Sequence, residues 1–298
     1  MPGRALTRLC PDLLQRGCTV QRIRPLSKVR LGRFSYVPLL LFMLVLFIYP
    51  MTRMLRLSLF SSRLTLEHYQ HLYAVPIYSK IFLQTFLTAL RVTILTLLIG
   101  YPVAYFLASI KEKSANILMI FIIIPFWVSI LIRTFAWTVI LQSNGVINQL
   151  LIKLGLVAQP LKLLYNTFAV HVGMIHIQLP FMILSLYGVM KGIDPTLTNA
   201  AMSLGASSPK AFYRVYLPLS LPGVAAGTLL VFIMSLGFYI TPAVLGGTRD
   251  TTIPMVIENQ VSTALNWGFA SALAAILLVL TLVVIIVENT VLRTNEMR

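Results

Sequence analysis

Charge is scarce in this chain, and acid most of all. Of its 298 residues, 11% are charged and eight are Asp or Glu, whereas soluble domains carry about 25% charged residues. None of the eight acids lies clearly in the middle of an apolar run, so a carboxylate proton relay of the kind secondary carriers use has little to work with. Cysteine is limited to Cys10 and Cys18. There is no CxxC and no Cys/His spacing suited to a metal. A GxxxxGK phosphate loop followed by Ser or Thr is absent, which excludes ATP binding by that route. HExxH and GxSxG are absent too. The chain is therefore read as non-catalytic, with no metal or cofactor of its own.

What is abundant is apolar length. Hydrophobic residues make up 58% and the mean hydropathy is +0.86. A membrane-spanning helix needs roughly 20 mostly apolar residues, and uncharged runs reach that length repeatedly. The runs predict an all-α, polytopic membrane protein with six transmembrane helices, near 35–58, 82–109, 115–141, 167–191, 221–246 and 267–291. Beyond residue 141, the polar residues Gln142, Ser143, Asn144 and Asn148 with Gly145 read mostly as loop. An even number of spans leaves both termini on one side. Of the 24 basic residues, fifteen fall on that side, seven on the other, and Arg91 and Arg133 within helices. Cytoplasmic loops carry the Lys/Arg excess, so both termini and the segment near Asn199 are placed in the cytoplasm.

The basic residues are concentrated in a tail, 1–33, that precedes the first span. Its eight arginines and lysines are a third of the 24 in a chain of net charge +16. Contact with anionic membrane lipid and orientation on insertion explain such a cluster without nucleic acid. The tail is also Arg-rich and acid-poor, as transit peptides are, and a different start codon is a further reading. Cys10 and Cys18 fall in this cytoplasmic tail, where thiols stay reduced. Residues 34–81 supply the first span and an external loop, and 82–292 the remaining core. The external loop holds Glu67, His68, His71 and Lys80 with Tyr69, Tyr73 and Tyr78 between them. An interfacial aromatic belt is the reading taken, with a partner surface as the other. His68 and His71 lack the further ligands a metal site needs. His171 and His176, five residues apart, do not share a helix face and read as bundle side chains.

One polar segment stands between two long apolar runs, and its local signals are ordered. Asp194-Pro195 is a helix start, because Asp can accept from an orphan amide and Pro suits the first turn. Leu197, Ala200, Ala201 and Leu204 follow at helical spacing. Gly205 then offers a left-handed residue to close the helix. Ser208-Pro209 repeats the start signal, and Phe212, Val215 and Tyr216 form a second face. Pro218 and Pro222 are expected to stop that helix and lead into the fifth span. The prediction for 194–218 is helix, tight turn, helix, with a small-residue face.

This segment resembles the cytoplasmic coupling loop of binding-protein-dependent ABC importer permeases. That pattern reads Glu-Ala-Ala, three residues, Gly, nine residues, Ile or Val, one residue, Leu-Pro. Ala200, Ala201, Gly205, Val215, Leu217 and Pro218 fall on those spacings, and Asn199 stands where the family has Glu. The strings GYPVAYFLA, PFWVSILIRTFAW, LPFMILSLYGVM and SLGFYITPAVLGG, taken in order, resemble the spermidine/putrescine branch. The likeness runs from about Gln84 to Val291.

The resemblance implies a type I ABC importer transmembrane-domain fold in a bacterial inner (plasma) membrane. It implies docking on a pair of ATP-binding cassette ATPases that hold ATP and Mg, pairing with a second permease subunit or a copy of the same chain, and delivery of solute by a periplasmic binding protein. The coupling residues would be Asn199, Ala200, Ala201, Leu204, Gly205, Phe212, Val215, Leu217 and Pro218. A neutral amide at Asn199 cannot form the ion pair that Glu could. A polyamine solute follows from the branch alone.

Candidate path residues are Arg91, Trp127, Arg133, Trp137, Tyr239 and Thr241. A charge inside a membrane helix costs about 2.5–3.5 kcal/mol on insertion scales, so Arg91 and Arg133 should face a polar cavity or a partner. Snorkelling is the alternative for the arginines, and core packing for the aromatics. Two arginines point away from a cation and toward an anionic or zwitterionic solute such as an opine or amino-acid derivative. A stand-alone secondary transporter is the rival reading, and it predicts an inverted repeat that is not evident. A membrane scaffold or receptor without transport is a second rival.

Overall fold

The computed structural model describes residues 37–59 and 66–296. The basic tail, Cys10, Cys18 and Arg63 lie outside them. Met1–Met51 and Thr52–Arg298 form two units. In the first, the described residues are the start of a long helix, α1 (Val37–Leu59), which includes a π-helical turn at Leu44–Ile48.

The second unit is helical throughout its described residues. It contains α2 (Glu67–Ala74), α3 (Pro76–Ser109), α4 (Glu112–Ile123), α5 (Ile130–Leu141), α6 (Val146–Lys153) and α7 (Thr167–Met190). There follow α8 (Pro195–Ser203), α9 (Ser208–Leu236), α10 (Ile240–Leu245), α11 (Ile253–Ser262) and α12 (Trp267–Glu296). Among the described residues, six helical stretches are long and apolar enough to cross a membrane.

The core is a three-helix contact between α3, α7 and α9. On α3 the buried face is built from small residues, Thr85, Ala89, Val92, Thr96, Gly100 and Ala104, recurring every three or four positions. Lipid tails are as apolar as leucine, so membrane helices gain by close backbone approach rather than by hiding oil. Met182, Ile183 and Leu186 of α7 fill the space so created, with Leu107 and Val231 beside them. Buried polar groups cross-brace the bundle. Gln178 donates to Ser235 Oγ at 2.6 Å, and the amide of Ile253 donates to Thr85 Oγ1 at 3.0 Å.

Several expected boundaries moved. The second span begins at Pro76 rather than 82, because Pro at the first helical position starts α3 outside the apolar run. The third span expected at 115–141 is broken: Pro125 ends α4 in a 3-10 turn, Ile124–Trp127, and the stretch long and apolar enough to cross is Ile130–Lys153, α5 with α6. The segment read as loop after residue 141 holds α6, which Gly145 precedes. Pro218 and Pro222 do not stop the helix before the fifth span. A π-turn at Phe212–Tyr216, closed by Leu217 N–H to the Phe212 carbonyl, shifts the hydrogen-bond register just ahead of Pro218. Pro218 falls in the first turn after this shift, and Pro222 lies inside the helix. The same helix ends at Leu236 instead of 246, and α10 is a separate short piece after Gly237.

Candidate coupling loop and transport path

The turn between α7 and α9 is built as its residues dictate. Asp194 caps α8 by accepting from the amide of Thr196 at 2.8 Å. That bond holds its carboxyl below the usual range. At the other end, Ala206 N–H donates to the Ala201 carbonyl at 3.1 Å and Gly205 N–H to Met202 at 2.9 Å. This pair of bonds is a Schellman closure. It places Gly205 at φ +88°, a conformation that costs side-chain-bearing residues about 1–2 kcal/mol. The second helix is capped by Ser207 rather than Ser208, and without a side-chain bond.

The turn presents two faces. Leu204, 90% exposed, stands at the tip with Leu197 and Met202 also exposed. Asn199 and Ala200 are exposed, and Ala201, Val215 and Leu217 half-buried. Pro218 is exposed at the entry to the apolar part of α9. Phe212 turns the other way. It lies edge-on to Tyr105 at 5.5 Å and to Tyr101 at 6.2 Å, and stacks on Tyr216 at 5.8 Å. Tyr101 is also hydrogen-bonded to Ser220 Oγ at 2.9 Å. The last turns of α3 and the start of α9 are thus joined by four aromatic rings. The i, i+4 spacing of Tyr101 with Tyr105, and of Phe212 with Tyr216, was visible in the sequence. Their meeting was not.

Beside the turn, Lys191 Nζ lies 2.9 Å from Glu112 Oε1, joining the ends of α7 and α4. The ammonium draws the carboxyl of Glu112 down, and the same hydrogen bond raises Lys191. Both side chains are well exposed.

Of the path candidates, Trp137 and Thr241 make contacts between helices. Trp137 on α5 meets the ring of His176 on α7 at 5.6 Å. One turn earlier, Thr134 hydrogen-bonds Thr241 of α10 at 3.3 Å. Arg133 precedes Thr134 on the same helix. Its Nε is buried without a hydrogen-bond partner, as is Nδ1 of His176. Gly173 permits this assembly, since a Cβ there would sit 2.5 Å from Leu245 and 2.7 Å from Thr241. Tyr239 flanks the group at the N-cap of α10 and is 37% exposed. Trp127, 89% exposed, lies in the 3-10 turn. Arg91 is exposed midway along α3 among exposed Leu90, Ile94 and Leu95. Among the described residues it makes no hydrogen bond, ion pair or ring contact to the others.

Two contributors were not singled out from sequence. His176 was set aside as a bundle residue. Asp250 is a buried carboxylate that accepts from Thr167 Oγ1 at 2.6 Å and from Gly247 N–H at 2.9 Å. It ties the loop after α10 to the start of α7.

The family model of the binding-protein-dependent transport system inner membrane component matches residues 97–294, which contain the candidate coupling turn and Arg133. The chain belongs to that family. This permease is 36% identical to the spermidine/putrescine transport system permease protein PotB of Haemophilus influenzae, over 75% of its own length and 78% of the relative's. It is 35% identical to PotB of Escherichia coli, over 70% and 75%. A crystal structure of a bacterial ABC transporter that imports the acidic polysaccharide alginate superposes with a TM-score of 0.66 at 18% identity, covering 87% of the permease and 94% of that chain. The permease thus has the all-α importer fold with six candidate spans, and it is the permease component of a binding-protein-dependent ABC importer.

Proposed function

We propose that the turn from Pro195 to Leu217 is where an ATP-hydrolysing partner drives this permease. The observation that carries the reading is the two-faced build of the turn: Leu204 exposed on one side, Phe212 locked to Tyr101 and Tyr105 on the other. A push on the tip reaches α3 and α9 together, and these are two of the three core helices. The partner is an ATPase pair that holds ATP and Mg. ATP binding closes the pair and pulls the bundle from inward-facing to outward-facing. Hydrolysis returns it.

A periplasmic binding protein delivers the solute, and a second permease subunit completes the path. Arg91 supports that pairing, because an unpaired guanidinium at mid-span is costly against lipid. The permease sits in a bacterial inner membrane with both termini in the cytoplasm, a reading the positive-inside count supports.

The solute proposed is a polyamine, on the strength of the likeness to PotB. Trp127, Trp137 and Tyr239 supply aromatic faces of the kind that hold ammonium groups. Arg133, whose Nε is buried without a partner, favours a second reading, a solute with an acidic group. Uptake into proteoliposomes containing the complete complex and its binding protein separates the two. The first reading predicts ATP-dependent entry of labelled spermidine that excess putrescine suppresses. Entry of an acidic amino-acid derivative alone overturns it.

A further inference from the structure

Past its capping Asp194, the coupling turn carries positive charge only. From Pro195 to Pro218 there is no Asp or Glu, but there are Lys210 and Arg214. The two cations are i, i+4 neighbours at the start of α9, where like charges repel. Both line a cleft of about 260 Å³ in the crook of the turn. Its other walls are apolar or small: Leu204, Gly205, Ala211 and Val215.

Among the described residues neither side chain has a hydrogen bond or an ion pair, although acids lie in the neighbouring loops. Glu112 is taken by Lys191, and Asp194 by the amide of Thr196. Two adjacent cations in a recess floored with apolar groups are complementary to a carboxylate on an otherwise apolar surface.

We infer that this cleft receives an Asp or Glu side chain of the ATPase partner, held between Lys210 and Arg214. The inference rests on the docking reading above and gives that contact a polarity. At Asn199 the turn offers no carboxylate, so the charge at this interface lies on the cationic side of the permease. Anionic lipid headgroups share the chemistry. The exposed apolar tip beside the cleft, Leu204 with Met202, favours a protein groove, since it calls for cover that a polar headgroup layer does not provide.

The test uses the permease complex purified from its own membrane. Zero-length carbodiimide cross-linking should join Lys210 to an Asp or Glu of the ATPase, located by mass spectrometry. Lys210→Gln with Arg214→Gln should lower ATPase retention by about tenfold or more, the scale of losing a close interfacial charge pair, while the charge-keeping Lys210→Arg should leave it within twofold of the unaltered permease. Leu204→Asp serves as the control for docking itself. If Leu204→Asp releases the ATPase while the double neutral variant retains it within twofold, the charge assignment is overturned and docking stands. If the neutral variant keeps the ATPase but loses phosphatidylglycerol in native mass spectra, the cleft is a lipid site and the assignment is again overturned. If neither variant affects retention, the docking reading fails.

Discussion

Phe212 on the coupling turn and Tyr105 on α3 meet edge to face, 5.5 Å between ring centres, although 107 residues separate them in the chain. The contact joins the turn to the second span. Edge-to-face pairs contribute about 0.5–1.5 kcal/mol beyond their buried area. Phe212→Ala should leave ATPase association intact but reduce solute uptake per ATP hydrolysed. A double-mutant cycle with Tyr105→Ala should show non-additivity in that ratio. Strict additivity would mean that the rings do not act together.

Gly205 sits at φ +88° with nothing within 4 Å of where a Cβ would be. Any penalty is therefore one of backbone conformation and not of space. Gly205→Asn should be tolerated, because Asn enters the left-handed region readily, while Gly205→Val should weaken the turn by roughly 1–2 kcal/mol. ATPase retention by the two variants, at equal membrane abundance, reads the difference. Equal loss in both would point to a direct steric contact at this position.

Gly173 is the opposite case, where backbone is ordinary and space is lacking. A Cβ there presses into Leu245 and Thr241 at 2.5 and 2.7 Å. Gly173→Ala should lower stability by about 1–3 kcal/mol, as overpacking does, measured as the thermal unfolding midpoint of purified protein. Gly173→Leu should also uncouple α10 from α7, detected as lost uptake with ATPase binding preserved.

The Lys191–Glu112 pair gives a pH dependence of defined sign. The carboxyl of Glu112 is lowered, so its contribution is complete above its ordinary value of 4.5 and lost as pH falls through the depressed value. Lys191 is raised, so its contribution is complete below 10.5 and lost only above that. Between these limits the pair should not titrate. Both groups are fully solvated, so Glu112→Gln should leave the unfolding midpoint nearly unchanged near neutral pH. A large shift there would show that the pair is buried by a partner in the assembled complex.

The coupling turn was the most legible part of the sequence because its signals are local. Asp194 caps, Gly205 closes and Leu204 is left at the tip, each determined by a few neighbouring residues. Boundaries failed where a distant or register effect decided them. Pro218 reads as a stop, yet the π-turn before it lets the helix run on from Ser208 to Leu236. The candidate path was legible only as residue types. Arg133 and Trp137 stand out as a charge and a large ring in an apolar run. The contacts of Trp137 with His176 and of Thr134 with Thr241 depend on α5, α7 and α10 meeting across Gly173, and no short-range pattern encodes that. Asp250 was missed for the same reason, since its partner Thr167 lies 83 residues away.

The central claim is that the tip of this turn faces the cytoplasm and is covered by the driving ATPase. Leu204→Cys, made after replacing Cys10 and Cys18 with serine, tests it with a membrane-impermeant maleimide. The account predicts labelling in inside-out vesicles stripped of ATPase, protection when the ATPase is bound, and no labelling of intact spheroplasts from outside. Labelling from the outside, or equal labelling with and without the ATPase, would contradict it.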